Sequence, residues 1–188
     1  MENILSGKKI CILVASGFAE EQFSNIQKSL NKTGAKFITV SPENGLVHGW
    51  FENTWGHYFP VDVPLAEVLG SDYDAVLMPG GARAVEKLKN NLHTRRILRH
   101  FFDAQKPIVA IAEAIELLTL CEHLNGLEVS VPAQLVQTIK TAGAIISQQS
   151  AMIDNHLLTF AKLPDDLSWL DAIVQHVAED RSAILEAA

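Results

Sequence analysis

Cysteine is nearly absent from this sequence, with only Cys11 and Cys121 in 188 residues. Two thiols cannot make the disulfide framework of a small secreted fold. Basic residues are also few, 15 Lys and Arg against 22 Asp and Glu, and a net charge of −7 sets the surface against phosphate backbones and anionic membranes. Neither nucleic acid nor a membrane is an expected partner. Glycine and proline, 11 and 7 residues, are too sparse for a fibrous or low-complexity chain. Long hydrophobic runs are missing too: the longest, from Ile108 to Leu120, is broken by Glu113 and Glu116 and is too short to span a bilayer. Met1 to Ser6 lacks the charged, apolar, small-residue order of a signal peptide, so the cytoplasm is the expected compartment. No two of the seven histidines are spaced i, i+4, and no Cys or His pairs have finger-like spacing. No metal and no cofactor is expected.

What is present is enough to bury a core: 48% hydrophobic residues with 20% charged, at a length that suits one domain, residues 1–188. Ile10 to Ala15 is continuously apolar and rich in β-branched residues, as in a strand buried on both faces. Phe23, Ile26 and Leu30 follow at helical spacing up to Gly34. Phe37–Val40, Ala75–Met78 and Ile108–Ala112 predict further parallel strands, with helices over 82–91 and 92–105 and another entered directly from Ala112. Beyond Leu124 the pattern gives a short strand at 128–131, a helix over 133–143, and strand-like pieces around Ile145 and from Met152 to Phe160. A last helix is expected to be capped by Asp165 and to bury Leu167, Leu170, Val174 and Val177. This alternation predicts a doubly wound α/β sandwich with a mostly parallel sheet and ligands outside the carboxyl ends of its strands.

One segment departs from the alternation. Leu46 to Pro60 reads as an inserted β-hairpin around Glu52-Asn53-Thr54, followed by a helix over PLAEVLG. Trp50, Phe51, Trp55, Tyr58 and Phe59 put five of the chain's 13 aromatic residues there. They either pack on their own domain or form a subunit interface, where aromatics are enriched. Self-association, as a dimer, is the expectation.

Two turns are diagnostic: Pro79-Gly80-Gly81 after the third strand, and Ile111-Ala112-Glu113-Ala114. Together with the turn at Gly17 they resemble the ThiJ/PfpI superfamily of class I glutamine-amidotransferase-like, flavodoxin-like proteins, over nearly the whole chain. That family includes peptidases, chaperones, glyoxalases and deglycases. In it the run matching KPIVAIAEAIELL carries a cysteine nucleophile at the elbow, followed by histidine. The resemblance implies backbone N–H donors for an oxyanion at Gly81 and Glu113, and a thiol activated by a helix N-terminus. Here the nucleophile position is Ala112, which cannot ionise or attack, and the histidine position is Glu113. The family's glutamate on the first helix matches Gln22, with Glu20 or Glu21 reached by a shift of one or two residues. The elbow looks closer to the cysteine-less C-terminal domain of large-subunit catalases.

These matches imply a crevice of Gln22, Gly80, Gly81, Ala112, Glu113 and Ala114 that could hold a small polar ligand, in a non-catalytic binding or oligomerisation module. The alternative is a hydrolase or lyase, of the kind named intracellular protease or amidase, with Glu113 as its acid/base. Against that, a carboxylate at a helix N-terminus is also simply favoured by the dipole. Cys11 and Cys121 read as inert core thiols. His93 and His100 share a helix with Arg95, Arg96 and Arg99, which reads as a solvated basic face or as a site for an anion or acidic partner.

Overall fold

The apolar runs do become the centre of a sheet. In the computed structural model, which describes residues 3–179, the strands are β1 (Lys9–Leu13), β2 (Phe18–Ala19), β3 (Lys36–Ser41), β4 (Leu46–Phe51), β5 (Thr54–Pro60), β6 (Val63–Pro64), β7 (Ala75–Met78), β8 (Ile108–Ile111), β9 (Glu128–Val129), β10 (Ile145–Ile146), β11 (Ala151–Asp154) and β12 (Leu157–Phe160). The helices are α1 (Glu20–Lys32), α2 (Ala82–Lys89), α3 (Leu92–Asp103), α4 (Val136–Thr141) and α5 (Ser168–Ala178). Seven strands form the main sheet in the order β11-β12-β8-β7-β1-β3-β6. All neighbours are parallel except the β11–β12 edge pair. Every residue of β7, β8 and β12 is buried, so both sheet faces are covered. On one side α1 packs on α5, while α2 and α3 pack together and on the segment after β8.

The chain order explains where a ligand site must lie. From β1 the sheet grows through β3 to β6, then reverses through β7, β8 and β12. The switch point lies between β1 and β7, and the crevice outside their carboxyl ends is where doubly wound sheets place ligands.

Several elements differ from the sequence reading. PLAEVLG forms no α-helix but two short 3-10 turns, Leu65–Glu67 and Gly70–Asp72, because Pro64 and the extended Val68 and Leu69 interrupt any longer helix. Met152 to Phe160 is not one piece but part of an antiparallel pair, β11 and β12, turning at Asn155 with φ 52°. Asp165 does not cap the last helix: the N-cap position is Leu167, without a side-chain cap, and the carboxylate that meets the first turn is that of Asp166, whose Oδ1 accepts from the Ser168 N–H at 2.9 Å. Leu167 lies before that helix and is 57% exposed, so it is not in the core. The helix entered from Ala112 is a 3-10 helix, Ala112–Cys121, ending at Glu122 in the left-handed region.

The hairpin forms as β4 and β5, with Glu52 and Asn53 both at positive φ, as a two-residue hairpin turn requires. It joins the body through β2, which pairs with Gly49 and Trp50. Phe59 does not belong to the exposed aromatic set: it packs edge-on against Phe18 and Phe23 of the core. Val47 is fully buried on that same inner face.

Candidate active-site crevice

The chain leaves β8 extended at Ile111 and turns into the 3-10 helix through Ala112, whose φ is +51°. A Cβ is disfavoured in this left-handed region, and a strained strand-to-helix turn is the geometry that projects a nucleophile in an elbow. The elbow is thus intact in backbone, and a methyl group stands on it.

Opposite it, Pro79-Gly80-Gly81 runs from β7 into α2, with Gly81 at φ +119°. A Cβ on Gly81 would lie 2.5 Å from the Gly17 carbonyl oxygen, so the two turns approach closely only because this residue is glycine. Ala19 donates its N–H to the Gly80 carbonyl at 2.8 Å, and Gly17 donates to the carbonyl of His48, also at 2.8 Å. These bonds stitch the first turn, the glycine turn and the hairpin into one frame.

Within that frame the glycine turn's N–H groups have internal acceptors. Gly81 donates to Glu113 Oε2 at 3.0 Å, and Gly80 donates to Gln22 Oε1 at 2.8 Å. A Cβ on Gly80 would sit 2.9 Å from the same Glu113 oxygen. Of the three first-helix candidates, Gln22 is therefore the one that meets the crevice. Glu21 is exposed, lining with Gln22 a separate cavity of about 300 Å³ beside Leu163 to Leu167. Ala114 is fully buried and does not line the crevice surface, because the tight 3-10 turn points its methyl group into the core.

Glu20 has another role, one that reading the sequence did not find. It is buried, and its carboxylate accepts from the His57 N–H at 2.7 Å and meets His57 Nδ1. A Cβ on Gly49 or Gly56 would lie 2.4 or 1.8 Å from Glu20 Oε2, so the carboxylate enters the hairpin through two glycines. The register slips there, between His48 and Trp50. Burial works to raise the Glu20 pKa, but the His57 hydrogen bonds, with the charges of His57 and His48, outweigh it and hold the carboxyl below its ordinary 4.5. The only sequence signal was an acidic pair beginning a helix, together with glycines inside two strands.

The hairpin's outer face carries a ladder of rings. His48 stacks on Trp55 and on Tyr58 at 4.7 and 4.0 Å between centroids, and Trp50 meets Trp55 edge-on at 5.2 Å. The Arg83 guanidinium lies 3.7 Å over Trp50, bringing this face to the rim of the glycine turn. Phe51, Trp55 and Tyr58 are 40%, 46% and 64% exposed.

The thiols lie elsewhere. Cys11 is inside β1 and burial pushes its pKa up to about 12. Cys121 ends the 3-10 helix, and burial likewise raises it to about 12 despite Arg95 and Arg99 nearby. Among the described residues, no three His, Cys, Asp or Glu side chains gather as a metal site. No described helix is long and apolar enough to cross a membrane.

Comparison with known proteins gives the same frame. The model of the DJ-1/PfpI family matches residues 8–176. Protein/nucleic acid deglycase 2 of Escherichia coli is 27% identical over 161 residues, 85% of this chain and 91% of that protein. Schizosaccharomyces pombe DJ-1 superposes with a TM-score of 0.72 at 15% identity, covering 96% of this chain and 92% of that one. A two-domain Anabaena variabilis protein with dj-1/thij/pfpi-like and ferritin-like domains superposes with a TM-score of 0.75 at 22% identity, covering 81% of this chain but 43% of that one. With its mostly parallel flavodoxin-like sheet, its strained elbow and its Pro-Gly-Gly turn, this chain belongs to the DJ-1/PfpI family.

Proposed function

We propose that this protein is a family member without thiol catalysis, a binding and self-associating module whose crevice is closed by its own side chains. One observation carries the reading: Glu113 Oε2 accepts the Gly81 N–H at 3.0 Å, beside an elbow that presents Ala112. The side chain at the position after the elbow lies on a donor that a developing oxyanion would need, and a carboxylate there opposes new negative charge. The elbow's likeness to the cysteine-less C-terminal domain of large-subunit catalases fits this reading.

The test is an assay of the homogeneous protein for thiol-dependent peptidase, glyoxalase and deglycase activity. No turnover is expected. Turnover abolished by alkylating Cys11 or Cys121 would show that the nucleophile lies elsewhere.

The second reading is a hydrolase or lyase in which Glu113 moves a proton to or from water. Its support is a carboxylate at the carboxyl end of a central parallel strand, facing a glycine turn. Glu113→Gln keeps an acceptor for Gly81 and removes the proton-transfer group. A hydrolytic activity present in the native protein and lost in this variant would decide for the second reading.

A further inference from the structure

Helix α3 carries His93, Arg95, Arg96, Arg99 and His100 in a chain whose net charge is −7. The structure separates them. Arg95 pairs with Glu122 at 3.6 Å, beyond the end of the 3-10 helix. Arg96, Arg99 and His100 instead line, with Leu69, Gly70 and Ser71, an open surface cavity of about 370 Å³.

The lining carries two arginines against one aspartate, and that aspartate is engaged by a histidine outside the lining. Among the described residues, neither Arg96 nor Arg99 is paired with a carboxylate, and Arg96 makes one long hydrogen bond, 3.4 Å to the Leu65 carbonyl. Asp103, the acidic residue of the lining, has its carboxylate 2.8 Å from His123 Nε2. The His100 ring lies against Gly70, where a Cβ would come within 2.5 Å of it, and its buried Nε2 has no hydrogen-bond partner. A buried polar nitrogen left unpaired costs stability.

We propose that this cavity binds a phosphate group, free or carried on a small molecule. Guanidinium groups three residues apart on a helix rise from positions about 5–6 Å apart and present planar forks of donors. A tetrahedral oxyanion has enough acceptor oxygens to engage both guanidinium groups at once, whereas a single carboxylate is satisfied by one. The acidic surface does not forbid this. Its field is screened over roughly 10 Å at 0.1 M salt, so a small anion inside the cavity answers to the local cations, while a polyanion meets the whole surface. A cavity of 370 Å³ leaves room for an organic part beyond the phosphate.

The test is a titration of the isotope-labelled full chain with inorganic phosphate, and separately with glycerol phosphate, followed by amide NMR at ionic strength held constant with chloride. Saturable shifts are expected in α3 and at 69–71, with affinity falling at least tenfold in Arg96→Gln/Arg99→Gln. Both side chains are exposed, so the variant is expected to keep its fold, and its own spectrum reports this. If the double variant does not fold, Arg99→Gln alone is expected to weaken binding. Tighter binding of glycerol phosphate assigns the remaining cavity to an organic group, and equal affinities assign the site to free phosphate. No saturable shift for either probe, shifts confined to another surface, or unchanged affinity in the folded variant would overturn the proposal.

Discussion

Ala112 holds φ at +51°, where an alanine costs about 1–2 kcal/mol relative to ordinary backbone. Ala112→Gly is therefore expected to be neutral or stabilising by up to about 1 kcal/mol, since glycine loses the strain but adds freedom to the unfolded chain. Denaturant unfolding would measure it, and a loss of stability would mean the methyl group packs usefully. Restoring a thiol gives a sharper test of Glu113. In Ala112→Cys the neighbouring carboxylate disfavours the thiolate, and Ala112→Cys/Glu113→Gln removes that charge. Iodoacetamide at neutral pH is expected to label the double variant about tenfold faster, equivalent to one pKa unit. Equal rates would place Glu113 away from the elbow in solution. Glu20 titrates with a definite sign. Its folded pKa lies below 4.5, so it contributes stability above that pH and loses it as the pH falls through the folded value. Glu20→Gln is expected to cost about 1–3 kcal/mol near neutrality, by leaving a buried, charge-assisted site imperfectly paired. The difference from the native protein should shrink below pH 4.5 when unfolding is repeated across the acid range.

The hairpin is the element on which Glu20 acts. Gly56→Ala would place a Cβ 1.8 Å from Glu20 Oε2, so the carboxylate must leave or the strand must move. A destabilisation of about 1–3 kcal/mol is expected, as for other overpacked sites, with a change in tryptophan fluorescence because Trp55 and Trp50 share that ladder. Unchanged stability and fluorescence would mean the hairpin does not depend on this insertion. The hairpin itself was legible in the sequence, as were the strands around Ile10, Val76 and Val109, because apolar runs bounded by turn residues report burial directly. The elbow and the glycine turn were legible as motifs. Direction within the site was not: nothing in the local order of Glu20, Glu21 and Gln22 says which side chain meets Gly80, since that depends on how α1 is rotated against β7. The 3-10 geometry after Ala112 and the pairing of β11 with β12 were hidden for the same reason, being fixed by packing against distant segments.

At the scale of the whole molecule, the proposed self-association falls to the exposed rings of the hairpin. Trp55 and Tyr58 stay open to solvent, with His48 stacked on both and Trp50 edge-on to Trp55. A contiguous aromatic patch of this kind marks an interaction site, and identical subunits most often pair about a twofold axis. Light scattering at micromolar concentration is expected to show a dimer, shifted toward monomer by Trp55→Glu without unfolding. A native monomer would remove the prediction, and a dimer indifferent to the substitution would move its interface elsewhere. The central claim concerns chemistry: the family's frame persists here with Ala112 at the elbow and Glu113 on the glycine turn. Its most direct test is the deglycase rate of the homogeneous native protein, measured before and after thiol alkylation. The account predicts no turnover above the uncatalysed background in either state, and turnover that alkylation abolishes would contradict it.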